Sequence, residues 1–318
     1  MGQPRAPTTE AGRRRALQAL AGLAATPGLL LCQARAAGLT SSRELRVVPG
    51  PDTASGRQIL QALKARFPGL VVDADPGSRG PATHLAIGPV ALRRALDADV
   101  KGALISVFTA SQVNRQWLGH EAMGTRDRLA VTAIHAEASP FAQMQLIAAL
   151  FERRVTVGVL LSEASAYLER PLRQAASQNG VDLMIEHAPP APDVVRALTR
   201  LNAAQVLLAV PDSTLYTPDT LRAVLESTYR RGLPVVGFSS ATVAAGTLAT
   251  AHASIDDVVA DLGELIDGLG SATSINLPEP RFPRYWRVSV NTSVARSLGV
   301  PITDRVLNLG NSPPGRSS

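Results

Sequence analysis

The chain has 318 residues, room for two domains of ordinary size, and its 45% apolar, 18% charged and 4% aromatic content excludes a disordered polypeptide. The net charge of +6 at first suggests a polyanionic partner. Residues 1–36, however, carry Arg5, Arg13, Arg14, Arg15 and Arg35 against Glu10; without them 27 basic and 25 acidic side chains remain, with no basic cluster interleaved with aromatics, so no nucleic-acid partner is expected.

Residues 1–36 read as a signal peptide. Arg13-Arg14-Arg15 forms a charged start, and Ala16–Leu31 is an apolar stretch broken by Pro27 and Gly28. Ala34-Arg35-Ala36 fits a small-x-small cleavage site. The arginine run also admits the twin-arginine route, and an internal amphipathic helix is the alternative to export. The sole cysteine, Cys32, lies in this segment, so the mature chain would have neither disulfide nor thiol chemistry. Lipid attachment at Cys32 stays open, but Leu31 stands where a small residue is usual, and a free periplasmic protein is the expectation.

The elements then alternate. Glu44–Val48 is a strand, Thr53–Phe67 a helix with Ile59, Leu60, Leu63 and Phe67 on one stripe, and Leu70–Val72 a second strand. His84–Ile87 runs into Gly88-Pro89 and the helix Val90–Leu96; Ala103–Phe108 is a strand closed by a polar loop, Thr109–Asn114. The strand Leu129–Ile134 and the helix Pro140–Phe151 complete a first series. A second opens with the strand Arg154–Leu161 and continues through a helix, Asp193–Asn202, to the apolar run Val206–Val210, which Pro211-Asp212 closes. Such a run is what a strand buried on both faces looks like. Thr217-Pro218-Asp219 starts a helix to Arg231, followed by the strand Leu233–Phe238, the helix Ser254–Leu269, a strand Tyr285–Val290 expected at a sheet edge, and the helix Thr292–Leu298. The fold class is therefore α/β with parallel sheet, in two α/β series of similar length set in tandem.

In such sheets the loops at the carboxyl ends of strands carry the ligand. Asp212, after a buried strand, can pair a ligand ammonium once water is excluded, or can serve its own turn. Ser213 and Thr214 can donate to a carboxylate, as can Thr109 and Ser111; Ser162 and Ser240 lie in the other strand-end loops, Ser162–Tyr167 and Ser239–Ala244. Tyr167 and Tyr216 can stack on an aromatic ligand. Gly88 allows a sharp turn, and amides beside it and Pro89 can bind an anion at the helix start. Phe108 is read as core. The five histidines show no paired spacing, and neither a phosphate loop nor a complete nucleophile elbow is present, so no metal, no cofactor and no catalytic set are expected.

From Arg43 to Leu309 the order of segments resembles the periplasmic solute-binding proteins of ABC transporters, in the subgroup for aromatic and related amino acids. The matching segments are His84-Leu85-Ala86-Ile87-Gly88-Pro89, Ser106-Val107-Phe108, Arg154–Leu160, Val210-Pro211-Asp212, Leu233–Gly237, Gly246–Ala249 and Val290-Asn291 with Leu298–Pro301. The resemblance implies a type I periplasmic-binding-protein fold, two doubly wound parallel-sheet lobes that are joined by a hinge and close on a small-molecule ligand. It divides the chain into a first lobe, 43–151 plus 252–280, a second lobe, 152–251 plus 281–310, and a loose tail, 311–318. It further implies a monomer that presents its solute to an ABC permease in the inner membrane. The family's acid-proline turn after the strand ending at Phe108 is replaced here by Thr109-Ala110-Ser111-Gln112. That departure leaves a sensor or accessory component as the alternative to uptake.

Overall fold

The computed structural model describes residues 44–119, 129–188, 193–269 and 277–315. The signal-peptide and Cys32 readings lie outside them. A first sheet of five parallel strands has the order β2-β1-β3-β4-β5, with β1 Leu45–Val48, β2 Val71–Val72, β3 Ala82–Ile87, β4 Gly102–Thr109 and β5 Leu129–His135. Its inner strands alternate apolar residues between two buried faces. Val47, Leu85, Ile105 and Ile134 meet helices α1 (Ala54–Arg66) and, far along the chain, Ile255–Leu269. Ala86, Leu104 and Ala133 meet α2 (Gly88–Asp97) and α3 (Ser111–Leu118) on the opposite face.

The second sheet has seven strands in the order β12-β11-β10-β9-β8-β6-β7. They are β6 Thr156–Leu161, β7 Asp182–His187, β8 Val206–Leu208, β9 Val235–Val236, β10 Ala249–His252, β11 Trp286–Val290 and β12 Gly310–Asn311. The pairs are parallel except β10–β11 and β11–β12. Val157, Val159, Leu161 and Leu208 pack under α4 (Pro140–Phe151) and α5 (Glu169–Asn179). Leu160, Leu207 and Ala209 pack under α6 (Val194–Ala197) and α7 (Pro218–Arg230). The remaining helices are α8 (Ser240–Ala244), α9 (Ile255–Leu269), α10 (Thr292–Ser297) and α11 (Asp304–Leu307).

The structure departs from the sequence expectation in several places. Helix α4, expected to end the first lobe, buries Ala142, Leu146 and Ile147 against the second sheet, so the chain crosses over before it, at 136–139. The expected loop Thr109–Asn114 is the start of α3, whose Ser111, Gln112 and Asn114 are polar yet buried. Three more elements escape the hydrophobic pattern. β7 is an edge strand with no fully buried residue, α5 has a narrow apolar stripe, and β10 reads Ala-Thr-Ala-His. The expected loop Ser239–Ala244 holds α8 under a capping box, and β11 is shielded from the sheet edge by β12. The tail therefore begins as a strand, with Asn311 Nδ2 donating to the Arg284 carbonyl at 2.8 Å.

Three crossovers connect the two sheets: 136–139, 252–254 and 281–285. Bridges between Glu137 and His252, and between Ile134 and Arg281, bring them side by side. Helix α9 carries Asp257, Asp261 and Glu264 on one face, as their spacing requires. Opposite stand Arg281, Arg284 and Arg287. Arg281 donates to Asp261 at 2.7 and 2.8 Å, Arg284 to Asp261 at 2.7 Å and to Glu264 at 2.5 Å, and Arg287 to Asp257 at 2.6 and 2.8 Å. Burial pushes the Asp261 carboxyl up, but hydrogen bonds from Arg281 and Arg284 outweigh it and hold the group below its ordinary value. Its contribution to stability is therefore complete above the unfolded-state value of about 4 and disappears as pH falls through the lowered folded-state value. Asp261→Asn is expected to cost about 2 kcal/mol at pH 7, with the gap to the parent protein narrowing as pH falls below about 4 in urea unfolding.

Candidate functional site

The carboxyl ends of the two sheets face each other, and polar side chains meet there. Asp212, in the turn after β8, is 3% exposed. Its Oδ2 accepts from Ser162 Oγ at 2.6 Å, Ser165 Oγ at 2.5 Å and the Ser162 amide at 3.4 Å. Its Oδ1 accepts from the amides of Thr214 and Leu215 at 2.8 and 3.2 Å and from Gln112 Nε2 at 3.5 Å. A carboxylate offers about four lone-pair sites, so this one is saturated by its own protein. Burial acts to raise its pKa, but the two serines and two amides more than reverse that, and the carboxyl lies below its ordinary value. Of the two readings of Asp212 in the sequence, the structure displays the one in which it serves its own turn.

Gln112 reaches across from α3. While its Nε2 approaches Asp212, its Oε1 accepts from Ser213 N at 3.2 Å and Ser213 Oγ at 3.4 Å. A second bridge lies beside it. Ser111 Oγ is 2.5 Å from Tyr167 Oη, and Arg115 lies over the Tyr167 ring at 5.1 Å. Ser111 in turn donates its hydroxyl and its amide to Glu137, the amide at 3.1 Å to Oε1 and 3.2 Å to Oε2. Because the Ser111 proton goes to the carboxylate, Tyr167 donates to Ser111, which makes a relay from the second lobe to the hinge. Burial lifts the Tyr167 hydroxyl to about 12.

The structure thus brings together Ser111, Ser162, Tyr167, Asp212 and Ser213 of the residues singled out in the sequence. Tyr216 is buried just beneath, its ring 6.2 Å from Phe238, with burial and the Asp212 charge raising its hydroxyl pKa. Thr109 is fully buried and its hydroxyl has no partner among the described residues. Gly88 turns with φ +78°, and a side chain there would come 3.9 Å from the Phe108 carbonyl; Phe108 itself adopts φ +58°. A bulky residue in that region is strained, which marks the β4–α3 turn as over-determined by its surroundings. Pro89 and Ser240 are exposed at the first turns of α2 and α8, and no hydrogen bond joins them to the network among the described residues.

Gln112, Glu137 and Ser165 escaped the sequence reading. Ser165 follows Ser162 by three, and the pair forms a capping box at the start of a short 3₁₀ turn. Glu137 stands just past β5, where the strand-end rule would have found it. Between hinge and second sheet is a cavity of about 20 Å³, room for about one water, bordered by Glu137, Gln143, Leu168, Leu172, Phe238 and Phe282. Asp212→Ala is expected to cost about 3 kcal/mol, since it strips partners from the amides of Thr214 and Leu215 and from two buried serine hydroxyls. A loss under about 1 kcal/mol in urea unfolding would show that the turn does not depend on the carboxylate.

No protein-family model matches the sequence, and no curated protein does. Solved structures do. The ABC domain in complex with L-Trp from Streptococcus pneumonia is 16% identical, with a TM-score of 0.55 over 85% of this chain and 98% of that one. A conserved domain protein from Vibrio cholerae is 17% identical, with a TM-score of 0.56 over 85% and 100%. The ligand-free, open structure of a substrate-binding protein with adhesive properties from Clostridium difficile is 15% identical, with a TM-score of 0.57 over 85% and 97%. At such identities the likeness is one of fold, and the fold of this chain is that of the two-lobed, type I periplasmic binding proteins.

Proposed function

We propose that the chain is an exported solute-binding protein that captures a small polar or amino-acid-like ligand between its lobes and hands it to an ABC permease. The observation that carries this reading is the meeting of Gln112 with Asp212 and Ser213, and of Ser111 with Tyr167, across strand ends joined by three adjacent crossovers. Hinged lobes with polar strand ends are built to open, admit a solute and close over it. Thr109, Ser111, Gly88 and Pro89 would form the first-lobe wall, and Ser162, Tyr167, Ser213, Tyr216 and Ser240 the second, with Asp212 holding the turn that carries Ser213. The similar proteins named above, one holding L-Trp and one described as a substrate-binding protein, support the same reading. No described helix is long and apolar enough to cross a membrane. A sensor or accessory component is the second reading, favoured by the fact that the strand ends already bond to each other.

A thermal-shift screen against amino acids, aromatic acids, sugars and short peptides tests the first reading. A true solute at one hundred times its Kd adds about 2.7 kcal/mol of stability, and small-angle scattering of the same sample is expected to change as the lobes move. Stabilisation by no member of the panel would transfer the weight to the sensor or accessory reading.

A further inference from the structure

We propose that Glu137 is a proton-operated latch in the hinge: the lobes close by burying it as the neutral acid, so closure takes up a proton. The inference needs the hinged lobes of the reading above but no particular solute, so a failed ligand screen leaves it standing.

Glu137 lies in the first crossover, at 136–139, and is 5% exposed. Both lobes cover it. Ser111 of α3 comes from the first, and Leu168, Leu172 and Phe238 of the second border the space beside it. Ala136, just before it, donates its amide to the Thr109 carbonyl at 3.0 Å, while Pro140, three residues on, starts α4 on the second sheet. Whichever lobe the side chain follows when the cleft opens, it leaves part of its cover behind and meets water.

Nothing in that cover neutralises a negative charge. No cationic side chain pairs with Glu137 among the described residues. Ser111 supplies a hydroxyl and an amide, and the amide of Glu137 itself adds support. These bonds do not offset burial, which holds the carboxyl above its ordinary value. The neutral acid keeps Oε1 to accept from Ser111, so protonation leaves the bridge from Ser111 to Tyr167 in place.

The sign follows from linkage. Well above the raised value, both open and closed forms carry the anion, and closing must bury a charge. Between that value and the ordinary one of about 4, closing takes up a proton. Closure therefore strengthens as pH falls from about 8 toward about 4.

The groups that face Glu137 from the other elements do not imitate this. Helices α3 and α4 bring Ser111 and Gln143, which do not titrate. Tyr167 is pushed up to about 12, Asp212 and Asp257 are held below their ordinary values, and Arg281 is paired with Asp261. Burial lowers His135 to about 4 and lowers His252 as well. A histidine kept neutral by burial weakens closure as pH falls, the opposite sign.

The test is the closed-to-open ratio by single-molecule FRET, in buffer without solute. Dyes sit on Lys64→Cys and Tyr229→Cys, exposed positions on α1 of the first lobe and α7 of the second, in a chain carrying Cys32→Ser. The ratio is expected to rise about tenfold or more from about pH 8 to about pH 5, since each unit of difference between the two forms is worth a factor of about ten. Glu137→Gln, a neutral isostere, is expected to stay on the closed side with a flat profile. Ser111→Ala removes a donor that supports the anion, so its profile is expected to move to higher pH; a residue that only packs would lower closure at every pH without moving it. A parent ratio that is independent of pH or rises with it would overturn the inference, as would a Glu137→Gln profile that keeps the parent slope. If Glu137→Gln does not fold, Ser111→Ala decides, and a profile that stays in place or moves to lower pH overturns the latch.

Discussion

The Asp261 carboxylate ties the returning chain to the body it left. Helix α9 belongs to the first layer through Val258, Val259 and Leu262, yet residues 281–290 go on to build β11 of the second sheet. Between them an acid with no exposed surface takes both nitrogens of Arg281 and the Nε and amide of Arg284. A buried carboxylate is tolerable only when its hydrogen bonds are filled in this way, and the geometry that fills them leaves the crossover little freedom. Its arginine partners keep part of their surface in water, which limits the desolvation cost.

That anchoring fixes what can happen in the cleft. Arg281, held from one side by Asp261, accepts the His135 amide and donates to the Ala133 carbonyl, so the third crossover lies against β5. His135 stacks edge-on with Phe282 at 5.1 Å; burial first, and the Arg281 charge second, take its pKa down to about 4. A neutral imidazole accepting at Nδ1 from Asn114, whose other amide proton goes to the Thr109 carbonyl, holds the base of α3. Helix α3 then presents Ser111, Gln112 and Arg115 to the second lobe. One chain of contacts thus runs from a buried ion pair to the residues at the lobe contact.

The two-sheet architecture was legible because the strands are short apolar runs with period-two faces, as in Val206–Leu208 and Ala103–Val107. Its boundaries were less so. Pro140–Phe151 is apolar around most of its circumference, so nothing in its sequence says which sheet it covers; only the crossover at 136–139 does. The polar residues Ser111, Gln112 and Asn114 looked like a loop because hydropathy equates polar with exposed, whereas here they are buried at an interface between lobes. In the site, Asp212 was found from its place after a buried run, but what it bonds to was out of reach. Ser165 and Gln112 come from distant segments, and only the folded chain places them beside it.

Those partners decide how the cleft is charged. Two acids lie at the strand ends in unlike surroundings: serines and amides hold Asp212 below its ordinary value, whereas burial raises Glu137 against the hydrogen bonds it takes from Ser111 and from its own amide. Divergent environments for neighbouring acids signal divergent roles. An anion already complete in its hydrogen bonds has little to gain from a ligand and much to give to the shape of a turn. Burial favours the uncharged form of Glu137 instead. The acid that defines the second-lobe turn and the acid at the hinge are thus linked through α3, where Gln112 reaches the first and Ser111 the second.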